Sequence, residues 1–143
     1  MKPLYILAVL SLLPLAATAE AAFVPRPAET VELEEIRFVS RPVVVFADSP
    51  NDPAFLRQME LLAADPAALA VRDVIVLTDT DPAARSAWRT LLRPRGFSLV
   101  VMDKDGETTL RKPLPWDVRE ITRAIDKFPL ARIEEQDRHP AGR

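Results

Sequence analysis

Two short runs place oxygen-bearing side chains directly after apolar stretches. Asp48 and Ser49, with Asn51 and Asp52 close behind, follow "RPVVVFA", and Thr78-Asp79-Thr80-Asp81 follows "DVIVL". Carboxylates held close together split their pKa values and can divide acid and base roles. Asp48 and Asp79 are therefore the pair on which acid–base chemistry would rest, and the same oxygens suit a hard cation such as Ca²⁺. Arg93 and Arg95, in "RPRG", offer another outcome. A carboxylate leaving a buried strand needs a partner or water, and either arginine would close it into an ion pair. Both readings of Asp48 and Asp79 stand at the level of sequence.

Other chemistry is poorly supplied. The chain has no cysteine, and its one histidine, His139, falls near the carboxyl terminus. Ser49 thus lacks the base a serine nucleophile needs, and zinc lacks its usual ligands. "DKDGE" has Asp103, Asp105 and Gly106, but not the glycine position or oxygen count of a calcium loop, and it reads as a hairpin turn. No catalytic, metal-binding or cofactor-binding residue is assigned, and no cofactor is expected.

The elements that must hold these residues are legible from apolar spacing. "RPVVVFA" is a continuous apolar run of the kind buried on both faces of a covered sheet. "NDPAFLRQMELLAAD" starts a helix with Asn51 or Asp52 as cap and Pro53 at the first position. Its apolar stripe is Phe55, Met59, Leu62 and Ala63, with Arg57, Gln58 and Glu60 opposite. "PAALAVR" adds a further helical turn, and "DVIVLT" is a second buried strand. "TDPAARSAWRTLLRP" is a helix capped by Thr80 or Asp81, with Ala84, Trp88, Leu91 and Leu92 inward. "FSLVVMDKDGETTLRK" forms a hairpin. "PWDVREITRAIDKF" is a last long helix, burying Val118, Ile121, Ala124, Ile125 and Phe128. Asp117 is its expected cap and Trp116 its hydrophobic staple, whereas Trp88 belongs to the core.

Helical crossover between the first two strands favours parallel neighbours. The expected architecture is α/β, a three-layer sandwich in the order β-α-β-α-β-β-α. Helices cover both faces of a central, mixed, four-stranded sheet. Both parallel strands then end at one edge, where ligands of open α/β folds bind. That edge would gather Asp48, Ser49, Asp52, Thr78, Asp79, Arg93 and Arg95. Asp52 and Asp81 also stand where ordinary helix caps are expected.

The chain has 143 residues, 48% hydrophobic and 28% charged, which suits one globular domain. "MKPLYILAVLSLLPLAATAE" has the basic start, short apolar segment and Ala17-Thr18-Ala19 site of a secretory signal peptide. Cleavage after residue 19 leaves 124 residues and, since Lys2 is the only charge lost from a net −2, a net charge of −3. Residues 20–36 read as a linker with a short helical turn capped by Thr30, 37–128 as the domain, and 129–143 as a flexible polar tail. The expected route is general secretion to the periplasm or extracellular space. Membrane contact comes only through the leader. Such a charge balance argues against nucleic acid and leaves another exported protein as the expected partner.

"VVVFADSPNDP" resembles the first strand and active-site loop of thioredoxins and peroxiredoxins, and "SLVVMDKDGE" resembles their third strand and hairpin. Over residues 41–127 the chain is similar to a peroxiredoxin-like domain family also found in equarin and sushi-repeat extracellular proteins. "LLAADPAALAVRDVIVLTDTDPAAR" and "LRPRGFSLVVMDKDG" carry that likeness. The resemblance implies a thioredoxin-like fold. It also shows what is missing: a Cys-x-x-Cys pair would fall at Pro50 and Pro53, and the customary proline before the third strand would fall near Phe97. Thiol exchange needs an ionisable sulfur. The implied protein is a thioredoxin-like binding or interaction module without thiol redox activity. The competing expectation is a cryptic enzyme or metal-binding protein using Asp48 and Asp79.

Overall fold

A computed structural model describes residues 21–140; the leader expected over residues 1–19 lies outside them. The elements run β1 (Arg26–Pro27), a 3-10 turn (Ala28–Thr30), α1 (Leu33–Ile36), β2 (Arg41–Phe46), α2 (Pro53–Ala63), α3 (Pro66–Ala70) and β3 (Val74–Asp79). A second 3-10 turn (Pro82–Ala84), α4 (Ala87–Leu92), β4 (Ser98–Met102), β5 (Thr108–Lys112), α5 (Val118–Ile125) and α6 (Pro129–Arg138) follow. Among the described residues no helix is long and apolar enough to cross a membrane.

The sheet is mixed and has five strands in the order β1-β3-β2-β4-β5. β2 and β3 are parallel neighbours, with Val43 beside Val76 and Phe46 beside Asp79. β4 runs antiparallel to β2, and β5 antiparallel to β4. Four strands were expected. The fifth, β1, is two residues long and pairs parallel to β3 through Arg26–Leu77 and Pro27–Thr78. A strand this short has no period to read, and an edge position tolerates its proline.

Strand alternation sends each apolar run into two cores. Val43, Val45, Val76, Leu99 and Val101 meet Leu62 of α2, Leu69 of α3, and Val118, Ile121 and Ile125 of α5. Val44, Phe46, Leu77, Val100 and Met102 meet Ala28, Val31, Ile36, Trp88 and Leu92 on the opposite face. β2 is buried along its whole length, which is why "PVVVF" shows no alternation of apolar and polar residues. Trp88 is buried and its indole donates to the Val31 carbonyl at 2.7 Å.

Several local expectations need correction. Ala63, Ala84 and Leu91, expected on inward apolar stripes, are exposed. The segment after Asp81 is two pieces, because Arg85 takes a left-handed φ of 47° and ends the 3-10 turn; Asp81 caps that turn and Ser86 caps α4. Glu32, not Thr30, precedes α1, while the Thr30 hydroxyl donates to Pro27. Gln58 is wholly buried instead of facing solvent. Its amide donates to the Trp116 carbonyl at 2.7 Å and accepts from the Trp116 N–H at 2.9 Å, satisfying both backbone groups of a residue that lies outside any strand or helix. Trp116 packs partly buried on the first core, with Lys112 Nζ 4.3 Å from its ring centroid. Asp117 and Glu120 form a full capping box on α5.

The carboxyl-terminal segment, expected to be a flexible tail, contains α6 over Pro129–Arg138. Its sequence lacks an apolar stripe because ion pairs hold it, and none of its residues is fully buried.

Candidate functional site

The carboxyl edge of β2 and β3 holds the residues singled out by sequence, but in three separate settings. The first is the loop after β2. Asp48 is exposed, Ser49 accepts from the Asn51 N–H at 3.2 Å, and Asp52 caps α2 by accepting from Ala54 and Phe55. Pro53 occupies the first helical position, where no N–H is needed. This loop is built as a helix start.

The second setting is Asp79, the buried last residue of β3. One carboxylate oxygen accepts from Arg89 Nε at 2.8 Å and from the Asp81 N–H at 3.2 Å. The other accepts from the Ser86 hydroxyl. Arg89 also donates to the carbonyls of Ala47 at 2.6 Å and Asp79 at 3.1 Å, and lies 5.5 Å from the Phe46 ring centroid. The guanidinium therefore ties together the carboxyl ends of two parallel strands. Ser86 closes the circuit by accepting from the Arg89 N–H at 3.1 Å. The arginine that neutralises Asp79 is Arg89; neither Arg93 nor Arg95, the partners expected from sequence, does so. Charge-assisted bonds of this kind are short and strong, and they leave Asp79 little capacity for a substrate. A small cleft of about 240 Å³ opens beside it, lined by Thr78, Asp79, Thr80, Asp81 and Ser86 among others.

Arg93 and Arg95 form the third setting. They line a different cleft, of about 340 Å³, with Phe97, Ser98, Arg111 and Pro113. The two clefts share no lining residue. Arg111 was not singled out by sequence, since its place in β5 gives no sign of what lies opposite. Among the described residues no group of three or more His, Cys, Asp or Glu side chains could hold a metal ion.

At the opposite edge lies a charge network that the sequence reading missed. Arg41, 1% exposed, opens β2. Its Nε donates to Asp103 at 3.0 Å, one terminal nitrogen to the Arg72 carbonyl at 3.0 Å, and the other to Glu134 of α6 at 2.9 Å. Asp103 also accepts from the Lys104 and Leu130 N–H groups. Lys104 bridges Asp73 and Glu134, and Arg72 pairs with Asp126 through two bonds. The clue was Arg41 itself: a charge heading a wholly apolar strand demands a counter-ion. The β2–β4 register, Val43 opposite Val101, puts Asp103 across from it two residues on.

Burial raises the Glu134 pKa, but hydrogen bonds and charge from Lys104 and Arg41 outweigh it and hold the carboxyl below its usual value. The Arg72 hydrogen bonds lower Asp126 against the opposing effect of burial. Burial lowers the Lys104 pKa, yet the bonds to Asp73 and Glu134 raise it overall. Depressed carboxyls stabilise the fold above their unfolded pKa values and lose that contribution as pH falls through the folded ones. Raised Lys104 acts in the other direction, stabilising below its unfolded value and fading only at strongly alkaline pH.

The described residues form a mixed α/β domain with a buried ion pair at the carboxyl edge of β2 and β3 and a charge network at the other edge. Residues 32–135 match the family model described as "Domain of unknown function (DUF4174)", and the chain belongs to that family. Comparison with the curated proteins finds no match.

Proposed function

We propose that this DUF4174 chain is an exported, thiol-free member of the thioredoxin-like proteins that acts by binding. One observation carries the reading: the stretch that ends the β2–α2 loop and opens α2, where redox relatives hold sulfur, is Pro50, Asn51, Asp52 and Pro53. The order β3-β2-β4-β5, with one parallel and two antiparallel pairings, supports the thioredoxin-like assignment. Export is supported by the sequence of residues 1–19. The likeness to the equarin and sushi-repeat domains rests on the quoted segments and is part of the same proposal.

Binding is favoured over the cryptic-enzyme reading because the Asp79 carboxylate is already engaged by Arg89, Ser86 and the Asp81 N–H. The purified chain is to be assayed for disulfide reduction and for thiol-dependent peroxide turnover beside a heat-denatured sample. The expected rates are equal in the two samples. Turnover by the native chain alone would overturn the proposal.

A further inference from the structure

The cleft holding Arg93 and Arg95 differs in kind from the rest of the carboxyl edge. Three of its six lining residues are arginines and none is acidic, in a chain whose net charge is −2. They come from three places in the fold. Arg93 ends α4 with a left-handed φ of 47°, at a position helices commonly give to glycine. Arg95 follows Pro94 in the turn before Gly96, whose φ is 59°. Arg111 reaches in from β5, where it pairs with Val100. One Arg111 nitrogen donates to the Leu92 carbonyl at 2.7 Å, fixing this guanidinium against the end of α4. Among the described residues no carboxylate lies within ion-pairing distance of Arg93, Arg95 or Arg111.

We infer that this cleft binds a phosphate-type oxyanion. Guanidinium groups match the oxygen edges of phosphate with paired N–H donors, and a converging set gives geometry as well as charge. Phe97 and Pro113 supply an apolar wall, beside which such bonds compete better with water. Buried Ser98 lies on the floor, where β4 starts opposite Phe46. The cleft therefore opens at the carboxyl edge of β2, and the inference rests on the proposal that the chain acts by binding. Free phosphate and the phosphate headgroup of an anionic lipid share this chemistry.

The probe is inorganic phosphate, titrated calorimetrically into the purified chain at low ionic strength, with added salt as a second series. Arg93→Gln/Arg95→Gln is the comparison; both side chains are exposed and outside the two cores. The expected result is saturable binding that weakens with salt and falls at least about tenfold in the double variant, its unliganded melting temperature unchanged. Vesicles of phosphatidylcholine with and without phosphatidic acid separate the sources. Arginine-dependent sedimentation with the anionic vesicles identifies a headgroup, and phosphate binding without sedimentation identifies a soluble ligand. Equal binding by the native and variant chains, or no saturable binding to either probe, would overturn the inference. A chain inert in the thiol assays but indifferent to phosphate loses only this site. A chain that turns over thiols yet binds phosphate through the arginines loses the broader reading and keeps the site.

Discussion

Arg41→Met is expected to destabilise the fold by about 3–5 kcal/mol, the range for removing one partner of a buried ion pair. The substitution leaves Asp103, 2% exposed, with only the Lys104 and Leu130 N–H groups as hydrogen-bond donors. It also frees the Arg72 carbonyl and cuts one of the two links from Glu134 to the sheet edge. Helix α6 should loosen first, since none of its own residues is fully buried. Amide exchange across residues 129–138 would then rise before that of β2. Chemical denaturation of Arg41→Met and of Arg41→Met/Asp103→Leu checks the cause. Removing both charges should recover most of the loss, because the penalty comes from the orphaned carboxylate. Equal losses in the single and double variants would point to shape rather than charge. Glu134→Gln provides the pH arm: its deficit relative to the native chain should shrink as pH falls through the depressed pKa of the folded carboxyl, below the ordinary glutamate range.

Asp79→Asn is the second large effect, with an expected loss of about 2–3 kcal/mol, the scale of a hydrogen-bonded charge lost inside a protein. Asp48→Asn, by contrast, should stay within about 0.5 kcal/mol, as exposed substitutions generally do. The contrast separates two roles. A carboxylate held strained for function leaves the protein more stable when neutralised, whereas one that joins strand ends leaves it weaker. Arg89→Met should match Asp79→Asn in thermal melts, and the double variant should cost less than the sum. Ser86→Ala should cost less than either, because it removes one hydroxyl from the same circuit.

The central strands β2 and β4 were legible because burial on both faces writes itself as unbroken apolar sequence, as in "PVVVF" and "SLVVM". Caps were legible where Asp precedes Pro or an acidic third residue, as at Asp52 and Asp117, whereas Ser86, which caps α4, was not. Gln58 was not, because its helix position reads as polar surface until the backbone of Trp116 is known to lie against it. α6 was hidden for a related reason: charges hold it, and charged residues in sequence look alike whether paired or solvated. At the candidate site, the gathering of Asp48, Asp79, Arg93 and Arg95 on one edge followed from parallel strands. Their division did not. Which arginine meets Asp79 depends on the break at Arg85, which turns α4 so that Arg89 faces the strand ends. Arg93 and Arg95 are thereby left to a separate cleft with Arg111.

This edge pairs a closed ion-pair lock at Asp79 with a separate arginine-lined cleft that we propose receives phosphate. Amide NMR of the isotopically labelled chain, recorded as inorganic phosphate is added, tests it residue by residue. The expected shifts cluster at Arg93, Arg95, Phe97, Ser98 and Arg111, while Asp79, Asp81 and Arg89 stay in place. Shifts centred on Thr78 to Asp81, with the arginine cleft silent, would contradict it.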